Sequence, residues 1–305
     1  GKILTLPFTD CCYQVIHGTN NGAYVGVSTI GYLTGKKDFA GYANIAPFSE
    51  VFLKLAREKD YESIKRMLGF LNIQYIFHNS DPGIYDTTFP GYPYQHVRKY
   101  LPNDQKGYSE FVKSLKGEKI FERGPYALYL VDKTTYLPHF YTSANIQKIT
   151  DSENGLAKIK FEKINPTKYK VKIANAKGPY YLVFSEAFHR NWKVFLPKDE
   201  PSKDAAIQEG IHRNIFFDKQ TFETAGAKSL PESSHFLVNG YANAWNITPQ
   251  DTGGKENYEL IVEMTGQRIF YVSLALSLIV FLASIAWGIK LFILDRKNWY
   301  KRSLK

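Results

Sequence analysis

Two short stretches concentrate the groups that could do chemistry. Glu186-Ala187-Phe188-His189-Arg190-Asn191-Trp192 places an acid, an imidazole, a guanidinium and an indole within seven residues. An acid and an imidazole that close could move a proton. They follow the end of a strand, however, where polar side chains normally face water, so Glu186 and His189 are read as possible ligand contacts with no catalytic role, and Trp192 as a core residue before a sugar platform. The second stretch, Asn239-Gly240-Tyr241-Ala242-Asn243-Ala244-Trp245, suits a saccharide better. Asn239 and Asn243 offer amides to hydroxyls, and Tyr241 and Trp245 offer aromatic faces to the C–H side of a ring. The plainer reading is a turn whose Asn and Gly satisfy backbone conformation.

No metal or cofactor is expected. The seven histidines are scattered without a paired spacing, and there is no zinc pattern, no Gly-rich phosphate loop after a strand and no GxSxG. Cys11 and Cys12 are neighbours, with Cα atoms about 3.8 Å apart, below the disulfide range, so they are expected to be unbridged.

These residues need elements to hold them. Residues 1–140 read as a mixed α/β subdomain. Lys2–Phe8 is a short strand ending near Pro7, and glycines among Tyr24, Tyr32 and Tyr42 suggest turns and extended loops. Ser49 can cap a helix with Val51, Phe52, Leu55 and Ala56 on its apolar face. Asp60 can cap a second, with Ile64, Met67, Leu68 and Leu71 buried, followed by a strand at Ile73–His78. A helix over 108–116 and a hairpin across Gly124–Pro125 complete this part. Residues 141–265 read as an antiparallel β-sandwich of jelly-roll type. KIKFEKI and KYKVKI alternate lysine with apolar residues, as strands with one wet face do, and Tyr180–Ser185, Trp192–Leu196, Phe236–Val238 and Tyr258–Met264 follow. Residues 197–234 are polar and long for a loop, an insertion or lid. The expected class is therefore α+β.

The last element is an anchor. Ile269 to Ile289 carries no charge, and a helix of that length crosses the roughly 30 Å hydrocarbon core. A transmembrane helix is expected over 266–294, with Tyr271 and Trp287 at the interfaces and the Ser273, Ser277 and Ser284 hydroxyls bonded back to the backbone. Lys290, Arg296, Lys297, Lys301, Arg302 and Lys305 against the single acid Asp295 give +5, half of the chain's +10. This basic excess predicts a cytoplasmic tail at 295–305 and an extracytoplasmic bulk. It also removes the argument for nucleic acid and points to anionic membrane lipid. Gly1 opens directly on KILTLPF with no leading apolar segment, so the natural polypeptide is expected to begin further upstream.

Several stretches in order resemble one family. KILTLPF with GAYVGVSTIGYLTGK resembles the opening of the extracytoplasmic part of large bacterial glycosyltransferases of the GT-C class, and MLGFLNIQYIFHN resembles their helix–strand unit. PYYLVFSEAFHRNWKVF resembles a segment of YfhO-like membrane proteins, with Arg190–Asn191 where the family has Pro–Gly. HFLVNGYANAWNI, followed by Gln267–Arg268 and the final helix, resembles the C-terminal end of arabinofuranosyltransferase-like relatives. The resemblance implies a polytopic enzyme of cell-envelope assembly that takes sugar from a polyprenyl-phosphate donor. This portion would position an acceptor glycan, because the family's catalytic acid lies in an early loop that this sequence does not contain. The rival reading is a single-pass surface module that binds carbohydrate or protein.

Overall fold

The computed structural model describes residues 1–9, 13–16, 22–25, 29–41, 48–80, 100–102, 104–131, 136–148, 156–197, 223–224 and 226–303. Cys11, Cys12 and most of the 197–234 segment lie outside the described residues. The chain is α+β, with one mixed sheet, antiparallel sheets and one long apolar C-terminal helix. It divides into two units. The first comprises Gly1–Ala157, Gly178–Phe188 and His235–Thr248, and the second Lys158–Lys177, His189–Ser234 and Pro249–Lys305.

In the first unit, β1 (Lys2–Thr9) lies between β4 (Asp38–Gly41) and β5 (Ile73–Asn79), parallel to both. Ile3, Leu4, Leu6 and Phe8 are all buried, as a strand covered on both faces requires. β5 continues antiparallel through β7 (Tyr126–Leu130) to β6 (Glu118–Arg123). β6 and β7 form the expected hairpin, with Gly124 at φ +56° in a backbone region that a Cβ would strain. A further two-stranded ribbon pairs β2 (Tyr13–Ile16) with β3 (Gly22–Val25), and a short helix α1 (Thr29–Thr34) stands where turns were expected.

Helices α2 (Phe48–Glu58) and α3 (Tyr61–Phe70) bury Phe52, Leu53, Ala56, Ile64, Met67 and Leu68 in one core with β1 and the helix Gln105–Ser114. Phe8 and Phe52 meet edge to face, 5.5 Å between centroids. Asp60 caps α3 as expected, its carboxylate accepting from Ser63 N at 3.0 Å. Two details differ from the periodicity. Ser49 sits inside the first turn of α2, and the buried arc runs through Phe52 and Ala56, so Val51, about 100° round the helix, is exposed. The helix expected over 108–116 starts earlier, because Asp104 accepts from Gly107 N at 2.7 Å and caps it there.

The six strands expected over 141–265 are present and, with two that were not expected at Phe140–Ser143 and Ala242–Ile247, make two four-stranded antiparallel sheets, one in each unit. In the first unit the order is β13 (His235–Val238), β14 (Ala242–Ile247), β11 (Tyr180–Phe184) and β8 (Phe140–Ser143). In the second it is β12 (Trp192–Phe195), β15 (Tyr258–Met264), β10 (Lys168–Ala174) and β9 (Lys158–Asn165). Along β10, Tyr169, Val171 and Ile173 are buried while Lys170 and Lys172 reach the wetter side, the alternation read from the sequence; Lys168, on the lysine side, departs from it and is buried beside Glu223 and Glu263. Asn165 accepts from Thr167 N at 2.8 Å and turns β9 into β10.

β15 leads into the helix Gly266–Ser303, of which Gly266–Arg296 is long and apolar enough to cross a membrane. Ile269, Phe281, Trp287 and Phe292 are exposed along it, an apolar surface that water does not tolerate and a bilayer covers. Ser284 returns its hydroxyl to the Val280 carbonyl at 2.8 Å, so its polar atom costs little in lipid. The chain is thus membrane-associated through this helix.

Candidate functional site

The first unit contains a cavity of about 660 Å³. Its polar end is made by Lys2, Lys37, Asp38, Glu186 and Asn239, and its wall by Phe39, Phe48, Val51, Met67, Phe70, Leu71 and Tyr241. Three of the seven residues selected from the sequence, Glu186, Asn239 and Tyr241, meet here.

Each is placed by a local device. β11 ends at Phe184; Ser185 N still bonds the His139 carbonyl at 2.9 Å, the next step of the pairing with β8, and Glu186 N then returns to the Phe184 carbonyl at 2.8 Å in a tight turn that sets Glu186 at the cavity. The residue is only 5% exposed. Lys37 pairs with one oxygen, and His139 Nε2 lies 3.5 Å from the other. Burial alone would push this carboxyl up, but His139, Lys37 and Lys2 together outweigh it and hold the group below its ordinary value. Glu186 is therefore ionised at neutral pH and accepts hydrogen bonds.

Lys2 donates to the Ser185 carbonyl at 2.6 Å and stands over the Tyr241 ring, 4.8 Å from its centroid. Burial lowers this ammonium to about 8, against the opposing pull of Glu186. Asp38 accepts from Thr5 Oγ1 at 2.6 Å.

Asn239 and Gly240 form the two-residue turn between β13 and β14, at φ +53° and +70°, closed by Tyr241 N to the Val238 carbonyl at 3.0 Å. Both left-handed conformations match a type I′ turn, whose twist suits a hairpin. The turn reading of this stretch is therefore correct, and the turn also delivers Asn239 and Tyr241 to the cavity. Asn239 donates to the Tyr141 hydroxyl at 3.0 Å, and the Tyr241 hydroxyl donates to the Phe70 carbonyl at 2.7 Å. Burial raises the pKa of both tyrosines far above the usual value, so both stay neutral hydroxyls.

The other four candidates have other surroundings. Asn243 is buried, donating to the carbonyls of Glu186 at 2.9 Å and Ala187 at 3.3 Å, with His235 Nε2 3.0 Å from its Oδ1. It holds the 186–187 segment in place. Trp245, 1% exposed, stacks on His235 with centroids 4.7 Å apart, as a core side chain. Trp192 is buried in the second unit, its ring 6.1 Å from Tyr169, in agreement with the core reading. His189 is exposed in the second unit and accepts from Asn191 N at 3.1 Å, while the imidazole beside Glu186 is that of His139. Sequence reasoning did not single out Lys2, Lys37 or His139. Lys37 and Glu186 are 149 residues apart, and no local pattern announces such a meeting.

Among the described residues no group of three or more His, Cys, Asp or Glu side chains could hold a metal ion. No family model, curated protein or solved structure matches the chain.

Proposed function

We propose that this chain is a membrane-anchored glycan-holding region, the extracytoplasmic portion of a glycosyltransferase-like protein that positions an acceptor or lipid-linked sugar. One observation carries the reading: Glu186, named from the sequence as a candidate ligand contact, and Asn239 and Tyr241, named as candidate sugar contacts, converge on one cavity with Lys2, Lys37 and Asp38. Fixed carboxylate acceptors beside ammonium and amide donors match the paired donor and acceptor demands of sugar hydroxyls. A carboxylate held ionised by Lys37 and Lys2, with the His139 imidazole beside it, is suited to holding hydroxyls and poorly suited to supplying a proton at neutral pH. The polyprenyl-phosphate donor and the GT-C class rest on the sequence resemblance.

The test is a glycan titration of the full chain in nanodiscs beside the Asn239→Gly variant, which removes the amide while keeping the left-handed turn. Specific glycan binding, weakened about fivefold or more by the variant, is expected. Equal binding by both chains would retire Asn239 as a contact, and no binding by either would retire the reading. Orientation follows from the basic excess after Ile289: protease outside sealed cells should spare the 297–305 tail, and its cleavage without permeabilisation would invert the topology.

A further inference from the structure

We propose that the cavity receives the apolar body of an uncharged amphiphile, of the glycolipid type, with the sugar head at the Lys37–Asn239 end. This rests on the glycan reading and adds the ligand class.

The cavity falls in the roughly 300–1,000 Å³ range of small-molecule sites. A sugar ring is satisfied by one or two aromatic faces, whereas this wall presents Phe39, Phe48, Val51, Met67, Phe70 and Leu71. Tyr241 is already engaged, with Lys2 over its face and its hydroxyl tied to the Phe70 carbonyl. The remaining apolar surface is thus more than a polyol can use, and Val51 is exposed to water on this wall. A hydrocarbon or isoprenoid segment would cover it.

Charge selects the head group. Two ammoniums, Lys2 and Lys37, face two carboxylates, Asp38 and Glu186, so the polar end carries no net formal charge. An anionic head would have to draw Lys37 away from Glu186 and weaken the pairing of a buried carboxylate, which is costly. Hydroxyls can accept from Lys37 and Asn239 and donate to Asp38 with the pair intact. The Lys37 side chain is 61% exposed, so its ammonium can be reached from solvent.

The experiment is calorimetric titration of the full chain in nanodiscs, with empty nanodiscs subtracted, using methyl β-glucoside, hexyl β-glucoside, 1-hexanol and hexanoate. Each pair of buried methylenes is worth roughly tenfold in affinity, so hexyl glucoside should bind at least tenfold tighter than methyl glucoside. It should also exceed hexanol and hexanoate, and Val51→Glu, at an exposed position that folding tolerates, should abolish the gain. Equal affinity for the two glucosides would overturn the apolar-body inference and leave the glycan reading standing. Hexanol matching hexyl glucoside would keep the apolar body and overturn the glycan reading. Hexanoate matching or exceeding hexyl glucoside would overturn the uncharged head. No binding by any of the four would overturn both.

Discussion

Each unit buries a glutamate in a cluster with lysines, and the two clusters differ in what surrounds the carboxylate. In the second unit Lys168, 2% exposed, lies 3.6 Å from Glu263 and 3.3 Å from Glu223. Arg268, in the first turn of the C-terminal helix, grips Glu263 with Nε at 2.8 Å and Nη2 at 3.2 Å, and Thr224 adds a hydroxyl. Burial pushes the Glu263 carboxyl up, but these partners outweigh it and keep it low. Its oxygens are occupied by protein donors, and the cluster ties the start of the helix to β15 and β10. In the first unit Glu186 has a comparable burial and a pKa also held below its ordinary value, yet it borders a cavity, and one of its cations is largely in water. The same residue types therefore make a tether in one place and a candidate ligand site in the other. What separates them is the number of protein donors each carboxylate already holds and the open volume beside it.

Four substitution and pH experiments break or sharpen this contrast. Glu263→Ala should be the most damaging, because it strips Arg268 and the buried Lys168 of a shared partner; about 3–5 kcal/mol of stability should be lost in chemical denaturation. Lys2 comes next. Its folded-state pKa lies near 8, below the ordinary lysine value, so between those limits the unfolded chain holds the extra proton and stability rises with pH. The rise should reach about 1.4 kcal/mol per pH unit at most, and Lys2→Met should flatten it. Glu186→Ala should cost only about 1–2 kcal/mol, since Lys2 keeps the Ser185 carbonyl and Lys37 returns to water, while glycan affinity falls. A loss as large as that of Glu263→Ala would erase the distinction between the clusters. Asn239→Gly should be the mildest, about 1 kcal/mol or less, because glycine adopts the turn at least as readily and only the amide's bond to the Tyr141 hydroxyl is lost.

The elements were more legible than the site. KYKVKI shows its two faces in its own spelling, and the uncharged run from Ile269 shows its length, so β10 and the C-terminal helix need no tertiary information. The Asp60 cap and the Gly124 turn were equally local. Asn239–Gly240 was readable as a turn, but β14 was missed because its polar Asn243 and Asn246 hide a strand in which Asn243 serves to hold the 186–187 segment. Trp245 drew attention as an aromatic face and is a core residue, a choice that burial alone decides. The cavity was least legible of all. Its polar end gathers residues 2, 37, 38, 186 and 239, and only the pairing of β1 with β4 and the turns after β11 and β13 bring them together.

The most direct measurement is amine labelling of Lys37 in the full chain, with and without saturating hexyl β-glucoside. Lys37 is solvent-accessible at the mouth of the polar end, and Lys54, exposed on α2 and absent from the cavity lining, serves as the internal reference. The account predicts that ligand slows modification of Lys37 several-fold while Lys54 is unaffected. Unchanged labelling of Lys37 at saturation would contradict the assignment of this cavity as the glycan site.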